Sequence, residues 1–387
     1  MNSKNKIIRG ISQPSLSFVN ISDNKIFSDI WPQLEEGLWR EFLVDNYLQN
    51  DKLGEVDQNK WLPIFPNYKV INVGFRWDSN KQEIVADLYK PQLFNADLNS
   101  FLNAAEKYFN KYSDKKIGVH LSGGLDSSLI ICLLKHFNIP FVAIGLSSNR
   151  FEFRTEKKIQ EILMEYADDA LLLDMDEYPF FSNLEKKPKH QIPDGNIKMI
   201  DASTALAHEF AKRGCNVVFT GQGGDTLLAE PMKDIHLFEG YNIGNEFRFP
   251  WEEDFIYAPL GIELVSFFSD KDIIDNITSL RLGHGDDSLK IWARRFFKDY
   301  IPRELSEFNY FADFFGYSMD GLNRAMPTFK TLFEEAYDYL KLPLFSEKSI
   351  KKLINTDALI FEYKTYCEFA SKLSLAVWLH SLFRKDD

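Results

Sequence analysis

The chain of 387 residues is long enough for two domains with a sizeable hydrophobic core. Its 45 Lys and Arg residues against 57 Asp and Glu residues give a net charge of −12, which argues against a protein whose main partner is the nucleic-acid backbone. Three isolated cysteines indicate buried thiols in a reducing compartment rather than zinc ligands or disulfides. Because no apolar stretch of about eighteen residues occurs, we expect a cytoplasmic protein without a membrane partner.

Residues 1–95 predict a small strand-rich region, because short apolar runs alternate with turn residues there. The clearest pattern is a pair of extended runs, Tyr68–Trp77 and Gln82–Tyr89, separated by the polar residues 78–81. This pattern predicts a hairpin. A helix is then predicted over Asp97–Tyr112, where apolar residues recur at helical spacing.

A strand, a polar loop and a helix start follow one another between residues 117 and 135. Ile117, Val119 and Leu121 predict a buried strand, and the apolar residues 129, 130, 133 and 134 recur at helical spacing. The loop between them has two glycines, three hydroxyls and one carboxylate. Its residues are Ser122, Gly123, Gly124, Leu125, Asp126, Ser127 and Ser128.

Such a loop suits an anion, because the first N–H groups of a helix have no internal acceptor and the helix dipole leaves positive charge there. The glycines let a ligand approach the backbone, and the serine hydroxyls can donate hydrogen bonds. The loop has no lysine, so it is not the P-loop of an NTPase. The carboxylate of Asp126 would repel a phosphate unless a cation lay between them, which indicates Mg²⁺.

Strands and helices continue to alternate beyond the loop. The predicted elements are a strand at Ile139–Leu146, a helix at Thr155–Tyr166, a strand at Ala170–Asp174, a helix at Ile200–Gly214 and a strand at Asn216–Phe219. This alternation predicts an α/β fold with a doubly wound parallel sheet, and a ligand at the carboxyl ends of the strands. The last part of the chain is predicted to be helical, with its longest helices at Asp286–Tyr300, Pro327–Leu340 and Leu359–Phe383.

The first loop resembles the pyrophosphate-binding PP-loop of N-type ATP pyrophosphatases, and its Leu-Asp-Ser-Ser ending is most similar to asparagine synthetases. A second glycine-rich loop, Thr220–Thr226, resembles the asparagine synthetase motif S-G-E-G-x-D-E. The resemblance implies an adenine nucleotide alpha hydrolase-like fold for residues 96–387. It also implies that residues 1–95 are the remnant of a glutaminase domain. Asn2 stands where glutamine-using relatives have their nucleophilic cysteine, so we expect no glutamine hydrolysis.

The resemblance further implies attack of a substrate carboxylate on the α-phosphate of ATP, release of pyrophosphate, and capture of the acyl-adenylate by an amine. Asp126 and Asp225 would then hold Mg²⁺. Ser122, Gly124 and two further serines would grip pyrophosphate, and backbone groups of other matching positions would contact adenine and ribose. The complete expected nucleotide-binding set is Leu121, Ser122, Gly123, Gly124, Asp126, Ser127, Ser128, Ile144, Thr220, Gly221 and Gln222.

The sequence also departs from the family. Gln222 and Thr226 replace the two glutamates of the second motif, and Phe308 stands where relatives have a catalytic lysine. A phenyl ring cannot stabilise a pentacovalent phosphate, so either another cation takes over or adenylation is lost. Lys290 and Arg294 are our candidate catalytic residues from a basic segment that also contains residues 295 and 298. An ordinary solvated basic helix face is the equally open alternative.

Two functions remain open from the sequence. The first is an ATP-dependent amide-forming ligase that acts on a small-molecule or peptide substrate, as the related lasso-peptide cyclases and β-lactam synthetases do. The second is a nucleotide-binding partner in a biosynthetic complex, which the departures at Phe308, Gln222 and Thr226 motivate. Modification of tRNA is disfavoured by the acidic charge. A precursor peptide, a biosynthetic partner protein and a second copy of this chain are the partners we consider. We assign no role to His120 or His208.

Overall fold

The structure is a computed structural model that describes residues 8–9, 17–20, 22–23, 26–27, 68–71, 75–86, 88–186, 198–228, 241–242, 256–282, 290–307, 315–340, 373, 376–378 and 380–381. The chain divides into two compact units. The first unit is formed by Met1–Val85, Pro179–Asp201 and Phe314–Asp387, and the second by Ala86–Tyr178 and Ala202–Asp313.

Short strands come first along the chain, strands and helices then alternate, and helices follow. The strands are β1 Ile8–Arg9, β2 Ser17–Asn20, β3 Ile26–Phe27, β4 Tyr68–Ile71, β5 Phe75–Asp78, β6 Glu83–Ala86, β7 Leu88–Tyr89, β8 Ile117–His120, β9 Phe141–Ser147, β10 Asp169–Asp174, β11 Val217–Thr220, β12 Tyr241–Asn242 and β13 Glu263–Ser266. The helices are α1 Leu98–Asn110, α2 Leu125–His136, α3 Arg154–Met164, α4 Ile200–Lys212, α5 Gly224–Leu228, α6 Lys271–Arg281, α7 Ile291–Phe296, α8 Arg303–Ser306 and α9 Phe315–Leu340.

A five-stranded parallel sheet in the order β10-β9-β8-β11-β13 forms the centre of the second unit. The chain enters at β8, continues outward through β9 and β10, and then returns to the other side of β8 to form β11 and β13. This order confirms the predicted doubly wound parallel sheet. It places the reversal of strand order between β8 and β11, which is where ligands bind in open α/β sheets.

The central strands are short and almost wholly apolar, because helices cover both faces of a parallel sheet. Val217, Val218 and Phe219 of β11 are fully buried, as is Val119 of β8. Helix α2 is buried at Leu125 and at every position from 127 to 134. The loop between β8 and α2 is therefore held at both ends by elements that are themselves fixed in the core.

Aromatic rings pack helix α1 against β11 and the residues that follow β13. The ring of Phe267 lies 5.4 Å from that of Phe109 in a stacked arrangement and 5.4 Å from that of Tyr108 in an edge-to-face arrangement. Phe219 of β11 contacts the same two rings, with centroids 5.5 and 5.8 Å away. Such pairs add to the area that the rings bury. The cluster joins α1, β11 and β13 in one core.

Replacing Phe267 by Ala should reduce the free energy of unfolding by about 3–5 kcal/mol, because the ring is fully buried and leaves a cavity among other rings. Urea denaturation followed by tryptophan fluorescence measures the loss. Phe151→Ala is the matched control, since that ring is 75% exposed and its main contact is the guanidinium of Arg154. We expect the control to lose less than about 1 kcal/mol. Equal losses in the two variants would contradict the assignment of Phe267 to the core.

The N-terminal hairpin prediction is correct for its turn but wrong for the extent of its strands. The run Tyr68–Trp77 contributes two strands, β4 and β5, which belong to different three-stranded sheets, β3-β2-β4 and β1-β5-β6. β5 and β6 form the predicted hairpin around residues 79–82. The run after the turn divides too, because β7 pairs with β12 instead. The separate hydrogen-bonding partners of each short strand explain the division.

Helix α9 is much longer than the predicted helix Pro327–Leu340, because Pro327 lies inside it rather than at its start. A proline removes one backbone donor but can be accommodated within a long packed helix. The buried side chains of Tyr317, Leu322 and Phe329 supply that packing. A sequence rule that stops helices at proline therefore misplaced the start of this one.

The other two C-terminal helix predictions are described only in part. Helix α7 ends at Phe296, so the predicted helix Asp286–Tyr300 is too long at its C-terminal end, where a turn follows. Residues 286–289 lie outside the described residues. Of the predicted helix Leu359–Phe383, the described residues 373, 376–378 and 380–381 are helical. Among the described residues, no helix has the length and apolar character required to cross a membrane.

Candidate functional site

The candidate site lies at the carboxyl ends of β8 and β11, the two strands between which the strand order reverses. The loop Leu121–Gly124 follows β8 and leads into α2. The loop Gly221–Gly223 follows β11 and leads into α5. Both glycine-rich loops identified in the sequence therefore meet at one edge of the sheet.

The first loop exposes an uncapped helix start. Gly123 has a φ of +81°, and a Cβ at this position would lie 2.6 Å from the carbonyl oxygen of Glu156, so only glycine fits. Gly124 is the N-cap of α2 and makes no side-chain cap hydrogen bond. The positive end of the α2 dipole thus lies at this loop, which is the arrangement that favours an anion.

The three serines of the loop have different surroundings. The Ser122 and Ser127 hydroxyls lie 2.6 Å apart, and Ser122 is exposed. The Ser128 hydroxyl is fully buried and donates to the Gly124 carbonyl oxygen at 2.6 Å. Ser127 is buried as well, and its expected contact with pyrophosphate, like that of Ser122, stays a prediction, whereas Ser128 stabilises the first turn of the helix. The predicted contact of Ser128 with pyrophosphate stays a prediction.

Leu121 and Ile144 belong to the framework of the site. The Leu121 N–H donates to the Ile144 carbonyl oxygen at 2.9 Å, and both side chains are fully buried. The buried side chain of Gln160 donates to the carbonyl oxygens of Leu121 and Leu146, at 2.9 and 2.7 Å. Gln160 joins the ends of two adjacent strands. The expected contacts of Leu121 and Ile144 with adenine and ribose stay predictions.

Replacing Gln160 by Leu should reduce the free energy of unfolding by about 2–3 kcal/mol, because it removes hydrogen bonds to two strand-end carbonyls. Gln92→Leu is the matched control, since the Gln92 side chain is exposed. We expect the control to stay within about 0.5 kcal/mol of the unchanged protein in urea denaturation. If Gln160→Leu loses no more unfolding free energy than Gln92→Leu, these hydrogen bonds do not stabilise the strand ends.

The glycines of the second loop make room for the start of α2. A Cβ on Gly221 would lie 2.8 Å from the Ser127 nitrogen, and a Cβ on Gly224 would lie 2.3 Å from the Asp126 Cγ. At either position a side chain larger than hydrogen would clash with the start of α2 unless the first loop moved. The two loops therefore interlock, and the Asp126 side chain occupies the space that Gly224 leaves.

The second loop is tied to its neighbours and leads to Asp225. The Gln222 N–H donates to the Thr220 hydroxyl oxygen at 3.3 Å, and its carbonyl oxygen accepts a hydrogen bond from the Ser266 hydroxyl at 2.7 Å. These bonds tie the loop to the end of β13. Asp225 lies in the first turn of α5, and its side chain is 89% exposed. Its carboxylate is thus open to solvent at the edge of the site.

Lys290 brings the two carboxylates together. Its Nζ donates to Oδ1 and Oδ2 of Asp126 at 2.7 Å each, and lies 2.5 Å from Oδ1 of Asp225. The lysine is almost fully buried and has a left-handed backbone with a φ of +55°. That conformation is unfavourable for any residue with a Cβ, and it recurs at functional sites. Among the predicted site residues, Lys290, Asp126 and Asp225 are therefore in direct contact.

The electrostatics of Asp126 reflect competing effects. The pKa of the Asp126 carboxyl is raised to about 6, mainly because the group is buried. The Lys290 ammonium opposes this rise by direct contact, the charge of Asp225 adds to it, and the Arg294 guanidinium opposes it from farther away. A second positive charge brought to the same place would favour the ionised carboxylate more strongly.

The other cations of the basic segment differ from Lys290. Arg294 is buried and donates from Nη1 to the carbonyl oxygen of Leu305, so it joins α7 to α8 and adds positive charge behind the site. Arg295 and Lys298 are exposed. Phe308 lies outside the described residues, as does the side chain of Thr226.

Two contacts near the site were not foreseen. Gln160 gave no sequence indication, because a glutamine in an amphipathic helix is ordinarily exposed. The ring of His120 lies 5.6 Å from that of Phe210, and its Nε2 is 2.7 Å from the Tyr257 hydroxyl. Burial lowers the pKa of His120 to about 4, so the ring is neutral at neutral pH. His120 is thus packed and hydrogen-bonded within the fold.

Comparison with known proteins agrees with the geometry. Residues 110–230 match the family model described as asparagine synthase. No curated protein matches the chain significantly. The matching solved structures include that of NMN synthetase from Francisella tularensis, with 14% identity, 58% of this chain and 94% of that chain covered, and a TM-score of 0.25. A TM-score of that size supports no conclusion about shared architecture. The match to the asparagine synthase family is confined to residues 110–230, and this segment contains both loops of the site.

Proposed function

We propose that the protein is an ATP-dependent carbon-nitrogen ligase that activates a substrate carboxylate as an acyl-adenylate and releases pyrophosphate. The match of residues 110–230 to the asparagine synthase family supports the coarser statement that the protein is an ATP-utilising, ligase-type enzyme. The observation that carries the proposal is the meeting of Asp126 and Asp225 on one cation, beside the uncapped start of α2. This arrangement would bind the phosphates of ATP together with a metal ion.

The residues fit Mg²⁺ as the accompanying ion. Mg²⁺ is commonly held by one or two carboxylates together with substrate phosphates, and Asp126 and Asp225 supply two carboxylates from adjacent strand ends. When bound, the ion would neutralise the charge that develops on departing pyrophosphate.

Residues of the chain would bind the phosphates and stabilise the charge that develops during the reaction. The first amides of α2 and the hydroxyls of Ser122 and Ser127 would hold the phosphates in line for attack. The ammonium of Lys290 is the cation available to stabilise charge on the transferred phosphorus, in place of the lysine that Phe308 replaces. Arg294 would act behind it through its charge, because its Nη1 is bonded to the Leu305 carbonyl oxygen.

An amine other than glutamine-derived ammonia is the proposed nucleophile, on a peptide or natural-product intermediate. A precursor peptide or biosynthetic partner protein would then be the partner, and we propose a cytoplasmic location. Cys132 and Cys215 are free thiols buried in the second unit, which suits a reducing compartment. A homodimer stays a prediction.

The test is release of pyrophosphate from ATP and Mg²⁺ in the presence of candidate carboxylates and amines, with Asp126→Asn as the control. We expect release that depends on both the acid and Asp126. ATP binding without release by any substrate would favour the second function, a nucleotide-binding partner in a biosynthetic complex. That function is motivated by the replaced residues Gln222, Thr226 and Phe308.

A further inference from the structure

We infer that Lys290 is the resident counter-ion of the Asp126 and Asp225 carboxylates, and that its ammonium must leave them before a divalent metal can bind. Metal binding would then depend on nucleotide. This inference deepens the proposed function and rests on it, because it assumes that the same two carboxylates hold the metal.

The ammonium occupies the place where a shared metal would have to lie. Nζ of Lys290 contacts both oxygens of Asp126 and one oxygen of Asp225, all within 2.7 Å. A divalent ion held by the same two carboxylates would come into contact with Nζ. Two positive charges in contact beside the little-exposed Asp126 carboxylate repel strongly, so the ammonium and the metal exclude one another.

The described residues offer a metal few other ligands. Within the part of the chain that the structure describes, no group of three or more His, Cys, Asp and Glu side chains could hold a metal ion. Two carboxylates alone leave most of the coordination shell of Mg²⁺ to water. A free metal ion would therefore gain little from the site while displacing a well-bonded ammonium.

Bound nucleotide would favour metal binding and would also favour release of the Lys290 ammonium from the carboxylates. The phosphates of ATP would add ligands to the metal, and they would give the displaced ammonium a new anionic partner at the start of α2. The flexible stem of lysine allows Nζ to move between carboxylate and phosphate without movement of the backbone. Lys290 would thus favour entry of the metal with ATP over entry of the metal alone.

The test is the affinity of the full chain for Mn²⁺ without nucleotide, measured from the loss of the free Mn²⁺ signal in electron paramagnetic resonance. Lys290→Met should bind Mn²⁺ about tenfold or more tightly than the unchanged protein, because two carboxylates lose their resident cation. Lys107→Met is the matched control, since it removes an ammonium from an exposed ion pair with Asp272. A similar gain in the control would show a general effect of net charge and would overturn the inference.

Two further variants keep the outcome decisive. Lys290→Gly removes the ammonium and also relieves the left-handed backbone, so it guards against misfolding of Lys290→Met, and the same gain is expected. Unchanged or weaker Mn²⁺ binding by these folded variants overturns the inference. If Asp126→Asn abolishes Mn²⁺ binding in that case, the proposed metal site still stands. If Asp126→Asn leaves the Mn²⁺ affinity unchanged in every variant, both proposals fail.

Discussion

Replacing Asp126 by Asn should lower the rate of pyrophosphate release from ATP by at least about 10²–10³-fold, the usual cost of removing one group that stabilises transition-state charge. The substitution keeps the size of the side chain and removes its charge. It leaves Lys290 with a neutral amide in place of the carboxylate that it contacts through both oxygens, and it removes one of the two proposed metal ligands. The rate is measured with saturating ATP and substrate, so that a loss in binding and a loss in turnover are separated.

Asp272→Asn provides the matched control for this experiment. Asp272 is an aspartate of the same unit that pairs with Lys107 at the surface, so its replacement should leave the rate unchanged. Similar rates for Asp126→Asn and the unchanged protein would remove the central support for the ligase, because the carboxylate would then have no role in catalysis.

Gly224→Ala should reduce the same rate by about 10²-fold while the protein stays folded. The added Cβ would lie 2.3 Å from Cγ and 2.6 Å from Oδ2 of Asp126, so the carboxylate must turn away from its present position. Displacement of a positioned group by about 1 Å can cost this much in rate. Alanine suits the start of a helix, so the backbone of α5 has no reason to unfold.

Gly316→Ala tests whether a methyl group at any helical glycine has this effect. A Cβ at Gly316 meets nothing within 4 Å, and we expect the rate and the stability of the protein to remain as they were. If Gly224→Ala keeps full activity, the Asp126 carboxylate does not require its present position. The interlocking of the two loops would then be a matter of packing alone.

The sheet was predictable because its pattern is local. The apolar runs of β8, β9 and β11 each stand between turn residues, and the alternation with helices fixes a parallel arrangement. The two loops were predictable for the same reason, since glycine and serine next to a strand end leave few other structures. The strand order then brings loops about a hundred residues apart to the same edge.

The exceptions depend on long-range contacts. The inclusion of Pro327 within α9 depends on the packing of residues that precede it, which periodicity around the proline does not show. The buried hydrogen bonds of Gln160 join two strand ends and have no counterpart in local sequence. A basic segment around Lys290 is visible in the sequence, but only the structure distinguishes the buried lysine from its exposed neighbours 295 and 298.

The pairing of the first strand of the sheet with the fourth has a consequence for synthesis on the ribosome. Gly118 of β8 pairs with Val218 of β11, so the middle of the sheet cannot close until about a hundred further residues have been added. Until then β8 is paired with β9 on one side only, and its other edge is exposed. Exposed strand edges promote aggregation. The nascent chain should therefore need protection by chaperones through this interval, and premature termination before β11 should yield an insoluble fragment.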